Sequence, residues 1–226
     1  MATSTFYLLK FIEDLYKNKK YLGNNEITNY YICQKVCRNL LKKTKVNIEV
    51  NGLENIPNDN LLITANHQNF FDIIVLISLI NKPIPFAAAK ELMKYPILKD
   101  YIEKIGCVLI DRDTKDVKVM KKQLDDIENK VINNGLILFP EGECSYKDDT
   151  VKEFKKGGFI AANKNDVNIV PTYINYNGLK NMGKWYVPTG DIVVNFMKSF
   201  KSSDYGKISP SSLANITRDK VLSLKM

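Results

Sequence analysis

Between Val46 and Phe196, short apolar segments alternate with helical patterns, and this alternation constrains the fold more than any other feature of the chain. The segments typical of strands are 46–50, 61–65, 85–89, 105–110, 136–139, 168–174 and 192–196. The segments with helical periodicity among them are 72–80, 117–131 and 153–163. Strands and helices that alternate through short connections predict an α/β fold, with a largely parallel central sheet flanked by helices. We expect this layer to span residues 46–200.

Two further helical patterns precede the layer, at about 4–18 and 26–43, and predict an N-terminal helix pair within residues 1–45. In the second pattern the apolar positions share one arc and basic residues fall opposite. These basic residues are Lys35, Arg38 and Lys42, with Lys45 just beyond. Two interpretations stay open: a stripe that faces the core with a solvated charged back, or an interfacial pair that anchors the chain on an anionic membrane surface.

The segment after residue 200 is mostly polar, which predicts a C-terminal surface tail (201–226) with a short helix. The longest strongly apolar run of the whole chain, 73–80, is much too short to span a bilayer. Charged residues interrupt the first apolar stretch, which is unlike a signal peptide. If this protein works at a membrane, we therefore expect it to lie on the surface.

The charge balance narrows the class of partner. Lysine and arginine total 33 against 25 acidic residues, a formal charge of +8. Such an excess suits nucleic acid, an acidic membrane surface or a phosphorylated substrate. No recognised nucleic-acid-binding motif accompanies the charge, so we expect no nucleic-acid partner.

The cysteine and histidine content argues against a metal site. Four cysteines, none in a Cys-x-x-Cys pair, accompany a single histidine. A zinc site would therefore need carboxylates or all the thiols. We expect no metal and no tightly bound cofactor, and the low cysteine content indicates a reducing, cytoplasmic compartment.

The single histidine, His67, lies just past the strand pattern 61–65, where the next helix begins. The carboxyl end of a strand is where open α/β sheets collect their ligands. Asp72 is close enough along the chain to contact the imidazole. A carboxylate bound to one ring nitrogen fixes the tautomer and stabilises the imidazolium that forms when the other nitrogen takes a proton. The alternative is a surface histidine beside an aspartate that caps the helix.

A second polar cluster, residues 139–145, has the sequence Phe-Pro-Glu-Gly-Glu-Cys-Ser. An apolar strand therefore runs directly into a Pro-Glu-Gly turn. Gly142 lets the backbone come close to a ligand, and Glu141 can hydrogen-bond hydroxyl groups. The alternative is a turn that only ends the strand.

Together with two further segments, these clusters resemble the glycerolipid acyltransferase family, in particular its 1-acylglycerol-3-phosphate acyltransferases. The first block is His67, four residues, then Asp72, preceded by the family's usual Asn66. The second block is 90–92 (Lys-Glu-Leu) followed by 106–112 (Gly-Cys-Val-Leu-Ile-Asp-Arg), and the third is 139–145. Downstream, 154–157 and 169–171 also resemble family segments. The resemblance covers roughly residues 46–174, and the blocks stand in register.

The resemblance implies a reaction. A fatty acyl group would move from an acyl thioester, acyl-coenzyme A or acyl-carrier protein, to the free hydroxyl of lysophosphatidic acid, giving phosphatidic acid. His67 would act as the general base and Asp72 would orient and support it. The protein would work peripherally on the inner, cytoplasmic face of the cell membrane.

The resemblance also implies an acceptor site. Arg112 would bind the acceptor phosphate, because a guanidinium fork suits phosphate. Glu141, Gly142 and Ser145 would line the glycerol-phosphate pocket. Lys90 is a further candidate acceptor-binding residue.

The third block departs from the family pattern. Glu143 and Cys144 stand where the family usually has Thr-Arg, so the pocket is two charges more negative and phosphate binding should weaken. Arg112, Lys147 or Lys156 would have to compensate. Asn69 likewise replaces the usual serine of the first block. These departures leave the acceptor open, and another lysolipid is an alternative to lysophosphatidic acid.

Two other functions compete with acyl transfer. Cys144 could serve as a nucleophile with His67 as its base, giving a thiol hydrolase, although the neighbouring Glu143 would raise the pKa of the thiol. Alternatively, the chain could be a lipid-surface binding module that keeps the fold without turnover.

Overall fold

The computed structural model describes residues 2–44, 46–147, 149–179 and 182–225; Lys45, predicted to extend the basic set, lies outside them. The strands are β1 (Asn47–Asn51), β2 (Leu61–Ala65), β3 (Ala87–Ala89), β4 (Val108–Ile110), β5 (Leu136–Leu138), β6 (Asn168–Asn175) and β7 (Asp191–Phe196). The helices are α1 (Ala2–Lys19), α2 (Glu26–Thr44), α3 (Phe71–Leu79), α4 (Pro96–Lys104), α5 (Val117–Asn133), α6 (Gly157–Lys164) and α7 (Pro210–Ser223). Short 3₁₀ turns occur at Leu53–Asn55, Lys90–Lys94 and Ser202–Tyr205.

The central sheet has the strand order β1-β7-β6-β2-β5. Strands β3 and β4 form a parallel pair, and a parallel bridge between Phe86 and Ile137 brings this pair beside β5. Among the described strand pairs only β6 and β7 run antiparallel. All five residues of β2 are buried, as expected for a strand covered by helices on both faces. The predicted α/β fold with a largely parallel sheet is confirmed.

The N-terminal helix pair packs against the layer. Phe11 and Leu15 of α1 are buried in the same apolar cluster as residues of α2, α3 and β2. The Gln34 side chain donates to the carbonyls of Ile77 and Ile80, both at 2.8 Å. The apolar stripe of α2 therefore faces the core, as the first of the two interpretations predicted.

Helix α4 is absent from the sequence-based prediction, which instead begins a strand at Ile105. In the structure that strand, β4, begins at Val108. Ile105 caps the C-terminus of α4, where its amide donates to the Tyr101 carbonyl at 3.0 Å. Gly106 then reverses the chain with φ of 72°. The helix forms because Ile97, Tyr101 and neighbouring Ile102 give it one buried face.

Helix α6 begins at Gly157, four residues later than predicted. The residues before it are tied to the 139–145 cluster and form no helix, since the Lys155 amide donates to the Pro140 carbonyl at 2.9 Å. Val151 and Phe154 are buried in this segment. Tertiary hydrogen bonds and burial thus override the local helical pattern.

The C-terminal segment is not the polar surface tail that we predicted. Helix α7 is 14 residues long, and the Ser209 side chain caps it by accepting from the Ser212 amide. Leu213 and Val221 are completely buried, although polar residues surround them in the sequence. Arg218 donates to the carbonyls of residues 151 and 152, which ties α7 to the loop after the 139–145 cluster.

Candidate active site

The site begins where β2 ends. The Asn66 side chain donates to the Ile174 carbonyl at 3.0 Å and accepts from the Ile174 amide at 2.8 Å. One side-chain amide thus continues the ladder between β2 and β6 while the main chain turns away. The turn carries His67 out at the carboxyl ends of the parallel strands.

The imidazole of His67 is bound by Asp72. Asp72 Oδ2 lies 2.8 Å from His67 Nδ1, and it also accepts from the amides of Gln68 and Asn69 at 2.8 and 2.9 Å. The side chain of His67 is 13% exposed and that of Asp72 is 1% exposed. The structure therefore places the pair together and excludes the alternative of a surface histidine beside a capping aspartate.

The 139–145 cluster holds His67 from the other side. The His67 ring stacks on Phe139 with centroids 4.1 Å apart and 19° between the planes. The His67 amide donates to Glu141 Oε1 at 2.7 Å, and its carbonyl accepts from the Ser145 amide at 2.7 Å. Ring and backbone of the histidine are thus both fixed before any ligand arrives.

Opposing effects determine the proton affinity of His67. Burial of the ring disfavours its charged form, but hydrogen bonds to Asp72 and Cys144 and the charges of these two groups outweigh burial. Together they raise the pKa of His67 to about 9. The imidazolium is therefore the dominant form at neutral pH, and the neutral base becomes abundant only in alkaline solution.

Glu141, predicted to line the acceptor pocket, turns inward instead. It is 2% exposed, with Oε1 occupied by the His67 amide and Oε2 accepting from the Lys152 amide at 2.8 Å. Burial raises the pKa of Glu141, while the two amides favour its ionised form. This carboxylate connects the two clusters and offers little to a ligand.

Ser145 and Gly142, the other predicted residues of the 139–145 cluster, also make their contacts within the protein. Ser145 is 7% exposed, and its hydroxyl is 3.5 Å from Glu141 Oε2. Gly142 has φ of 74°, and a Cβ at this position would lie 2.8 Å from Lys155 Nζ. Glycine is thus required for the conformation, and the Lys155 ammonium rests against the turn.

Arg112 and Lys90 occupy different surroundings. Arg112 is exposed and lies near the 139–145 cluster. The hydrogen bond and charge of Lys152 lower the pKa of Glu143, and the charges of Lys155 and then Arg112 add to this effect. Lys90 forms an ion pair with Asp111 at 3.0 Å. Lys90 and Asp111 line a cleft of about 520 Å³ between β4 and α5. His67 does not line this cleft. The structure thus brings Arg112, but not Lys90, into the electrostatic surroundings of the His67 site.

Three groups at the site were not singled out from the sequence. The Tyr176 hydroxyl donates to Asp72 Oδ1. Lys152 forms an ion pair with Glu143 at 3.0 Å, and Lys155 contacts the turn at Gly142. Tyr176 lies 104 residues from Asp72 in the chain, so no local pattern links the two.

No group of three or more potential metal ligands occurs in the described part of the chain. Within the same residues, no helix is both long and apolar enough to cross a bilayer.

Comparison with known proteins gives the relatives of this chain. It is 27% identical to the 1-acyl-sn-glycerol-3-phosphate acyltransferase of Saccharomyces cerevisiae over 180 residues, which are 78% of this chain and 55% of that protein. It is 31% identical to the enzyme of the same name from Helicobacter pylori over 153 residues, 66% of this chain and 61% of that protein. The chain thus spans little more than half the length of these two relatives.

A solved structure has the same fold. The 1-acyl-sn-glycerophosphate acyltransferase PlsC from Thermotoga maritima superimposes with a TM-score of 0.70 at 22% sequence identity, covering 98% of this chain and 96% of that one. Residues 47–175, more than half of the chain and all of the site described above except Tyr176, match the Acyltransferase family. The chain belongs to that family.

Proposed function

We propose that this chain is an acyltransferase that moves a fatty acyl group from an acyl thioester to the free hydroxyl of lysophosphatidic acid, giving phosphatidic acid. The observation that carries the proposal is the hydrogen bond between His67 Nδ1 and Asp72 Oδ2, inside the region that matches the family. The names of the relatives support the acceptor. The donor is acyl-coenzyme A or acyl-carrier protein.

The chemistry requires one proton transfer and no covalent enzyme intermediate. With Nδ1 bound to Asp72, His67 Nε2 takes the proton of the acceptor hydroxyl as its oxygen attacks the thioester carbonyl carbon. The carbon–sulfur bond then breaks, and the imidazolium returns the proton to the departing thiolate. Asp72 stabilises the imidazolium between the two steps.

The acceptor phosphate would bind near the 139–145 cluster. The family's usual arginine is replaced there by Cys144, but the extra carboxylate of Glu143 is paired with Lys152. Arg112 and Lys155 carry further positive charge beside the same segment. These three cations offset the unfavourable charge at positions 143 and 144, which favours a phosphorylated acceptor.

Membrane association belongs to the same proposal. On the outer side of α1, Phe6, Leu9 and Tyr16 are 54–61% exposed at helical spacing. Apolar and aromatic side chains of this kind, in a chain of net charge +8, suit an anionic bilayer surface on the cytoplasmic side of the cell membrane. In a flotation assay with vesicles of anionic lipid, the protein should no longer float with the vesicles when Phe6 and Leu9 are both replaced by Glu. Val117→Glu is the control, since Val117 is exposed on α5. Equal binding of both variants would refute the anchoring.

The decisive assay supplies purified protein with a labelled acyl thioester and with lysophosphatidic acid or other lysolipids. We expect transfer to lysophosphatidic acid, and a loss of about 10²–10⁴ in rate for His67→Ala. Full activity of that variant would reject the mechanism. Preference for a different lysolipid would reassign the acceptor, and no transfer to any acceptor would favour the non-catalytic binding module.

A thiol mechanism is a second candidate, because Cys144 interacts with His67 and with Tyr146. In that mechanism the Cys144 thiolate would attack the thioester carbonyl and expel the donor thiol, and water would later hydrolyse the new thioester on Cys144, releasing the fatty acid and restoring the thiol. Cys144→Ala separates the two candidates. Retained acyl transfer supports direct attack by the acceptor, whereas loss of all turnover together with an acyl adduct on the wild-type thiol supports the thiol mechanism.

A further inference from the structure

The carboxylate of Asp72 has a fourth partner besides the histidine and the two backbone amides. Tyr176 donates its hydroxyl to Asp72 Oδ1 at 2.5 Å, while His67 contacts Oδ2. Both the tyrosine and the aspartate are buried, with exposures of 2% and 0%. The two oxygens of one carboxylate therefore serve two different side chains.

The backbone holds Tyr176 at this place. It follows β6 directly, two residues beyond Ile174, which the Asn66 side chain fastens to the end of β2. On its other side the Tyr176 carbonyl accepts from the Leu179 amide at 3.2 Å. The hydroxyl is thus fixed relative to the strand end from which His67 emerges.

The ionisation state of the phenol suits a donor. Burial, followed by the negative charge of Asp72, raises the pKa of Tyr176 well above its ordinary value. The hydroxyl accordingly keeps its proton at neutral pH. The hydrogen bond draws electron density from the carboxylate, so Oδ1 competes with Oδ2 for the charge that stabilises the His67 imidazolium.

We propose that Tyr176 is a positioning residue that sets the basicity of His67 through Asp72. Its hydroxyl holds the carboxylate with Oδ2 toward His67 Nδ1 and limits the charge that Asp72 presents to the ring. The imidazolium consequently releases its proton more readily than it would beside an unrestrained carboxylate. The catalytic consequence rests on the proposed acyl transfer, but the electrostatic coupling does not.

Other titratable groups also face the ring. Cys144 and Glu141 approach from the 139–145 cluster and Asp72 from α3. Glu141 contacts the backbone amide of His67, and Cys144 interacts with the imidazole itself. Tyr176 differs from them because it reaches His67 only through Asp72, so removing its hydroxyl leaves the direct contacts in place.

The chain provides a matched pair of variants. Tyr176→Phe removes the hydroxyl that donates to Asp72. Tyr173→Phe removes another buried hydroxyl from the same stretch of chain, one with no hydrogen-bond partner among the described residues. Any effect of removing a buried phenol oxygen near β6, other than the loss of the hydrogen bond to Asp72, should appear in both variants.

The test uses the single histidine of the chain. In a full-length protein labelled with ¹³C-histidine, the one imidazole signal titrates with the pKa of His67 and needs no assignment. We expect Tyr176→Phe to raise that pKa by about half a unit or more and Tyr173→Phe to leave it unchanged. An unchanged or lowered pKa in Tyr176→Phe would overturn the proposal.

Kinetics then connect the coupling to catalysis. At neutral pH we expect Tyr176→Phe to lower kcat about threefold or more with little change in KM, and to move the rise of activity to higher pH. A raised pKa with an unchanged kcat would reject the positioning role. If the wild-type protein transfers no acyl group, the proposed function fails, while the histidine titration still decides the coupling.

Discussion

The pair of side chains proposed to move the proton and the cations proposed to hold the acceptor are built differently. His67 and Asp72 are nearly buried, and four hydrogen bonds converge on the Asp72 carboxylate. Arg112 and Lys152, by contrast, are exposed or partly exposed, and the side chain of Lys152 forms a surface ion pair with Glu143. The buried pair keeps a fixed geometry, whereas the exposed cations can change their side-chain positions.

This difference explains how the family pattern can change at positions 143 and 144 while the His67–Asp72 block keeps it. Replacing a group in the buried pair leaves several donors without an acceptor, whereas a changed charge at the surface can be balanced by a neighbouring lysine. Glu143 and its partner Lys152 are such a case. We therefore expect substitutions to alter turnover and stability in the buried region, and acceptor affinity at the exposed one.

The largest effect should follow Asp72→Asn. The amide keeps the size of the carboxylate but lacks the charge that stabilises the imidazolium, so we expect kcat to fall by about 10²–10⁴. Steady-state acyl-transfer kinetics would measure the loss. Asp116→Asn is the control, because asparagine can still accept from the Lys118 amide at that helix cap. A loss below tenfold at Asp72 would contradict a fixed catalytic pair.

The pH dependence should be the next largest effect. Only neutral His67 can accept a proton, and its pKa is about 9, so we expect kcat to rise about fiftyfold between pH 7 and 9.

The stability of the fold should instead fall as the pH rises over this range. A raised folded-state pKa stabilises the fold fully below the ordinary histidine pKa of 6.5, and this contribution is lost as the pH rises through 9. A rate that is flat from pH 7 to 9 would contradict the electrostatics of the pair.

Glu141→Ala should act mainly on stability. The change leaves the amides of His67 and Lys152 without their acceptor in a buried site, which should lower the free energy of unfolding by about 2–3 kcal/mol. Denaturant titration would measure this. Glu128→Ala, which removes a surface ion pair to Lys164, is the control and should cost much less. Equal effects would show that Glu141 does not join the two clusters.

Arg112→Ala should give the smallest effect, confined to the acceptor. Losing one exposed phosphate ligand should raise KM for lysophosphatidic acid about tenfold with kcat nearly unchanged. Lys118→Ala removes the same charge from an exposed position on α5 and should change neither constant. A fall in kcat for Arg112→Ala, at unchanged KM, would break the proposed division between the buried pair and the exposed cations.

The sequence predicted those parts of the fold in which local pattern and burial agree. Strand β2 matches its predicted bounds because a short, mostly apolar run, 61–65, is buried along its whole length. Helix α4 and the packing of α7 were not predicted. The apolar residues of their buried faces are few, and charged or polar residues separate them in the sequence. Their contacts with the core come from distant segments, and periodicity alone does not contain that information.

The site shows the same limit. The contact between His67 and Asp72 could be predicted because five residues across a strand-to-helix turn allow few other arrangements. The inward turn of Glu141 could not, since its partner amide belongs to His67, 74 residues away. For the same reason Tyr176 remained unrecognised, because only the pairing of β6 with β2 brings it to Asp72.

Asn66 has a further consequence for local motion. The Ile174 amide bonds to a side chain on the turn that carries His67, rather than to a main-chain carbonyl of β2. This amide can exchange with solvent deuterium when the turn swings out, even if the rest of the sheet stays closed. The hydrogen-exchange rate of the Ile174 amide therefore reports how often the turn that carries His67 opens.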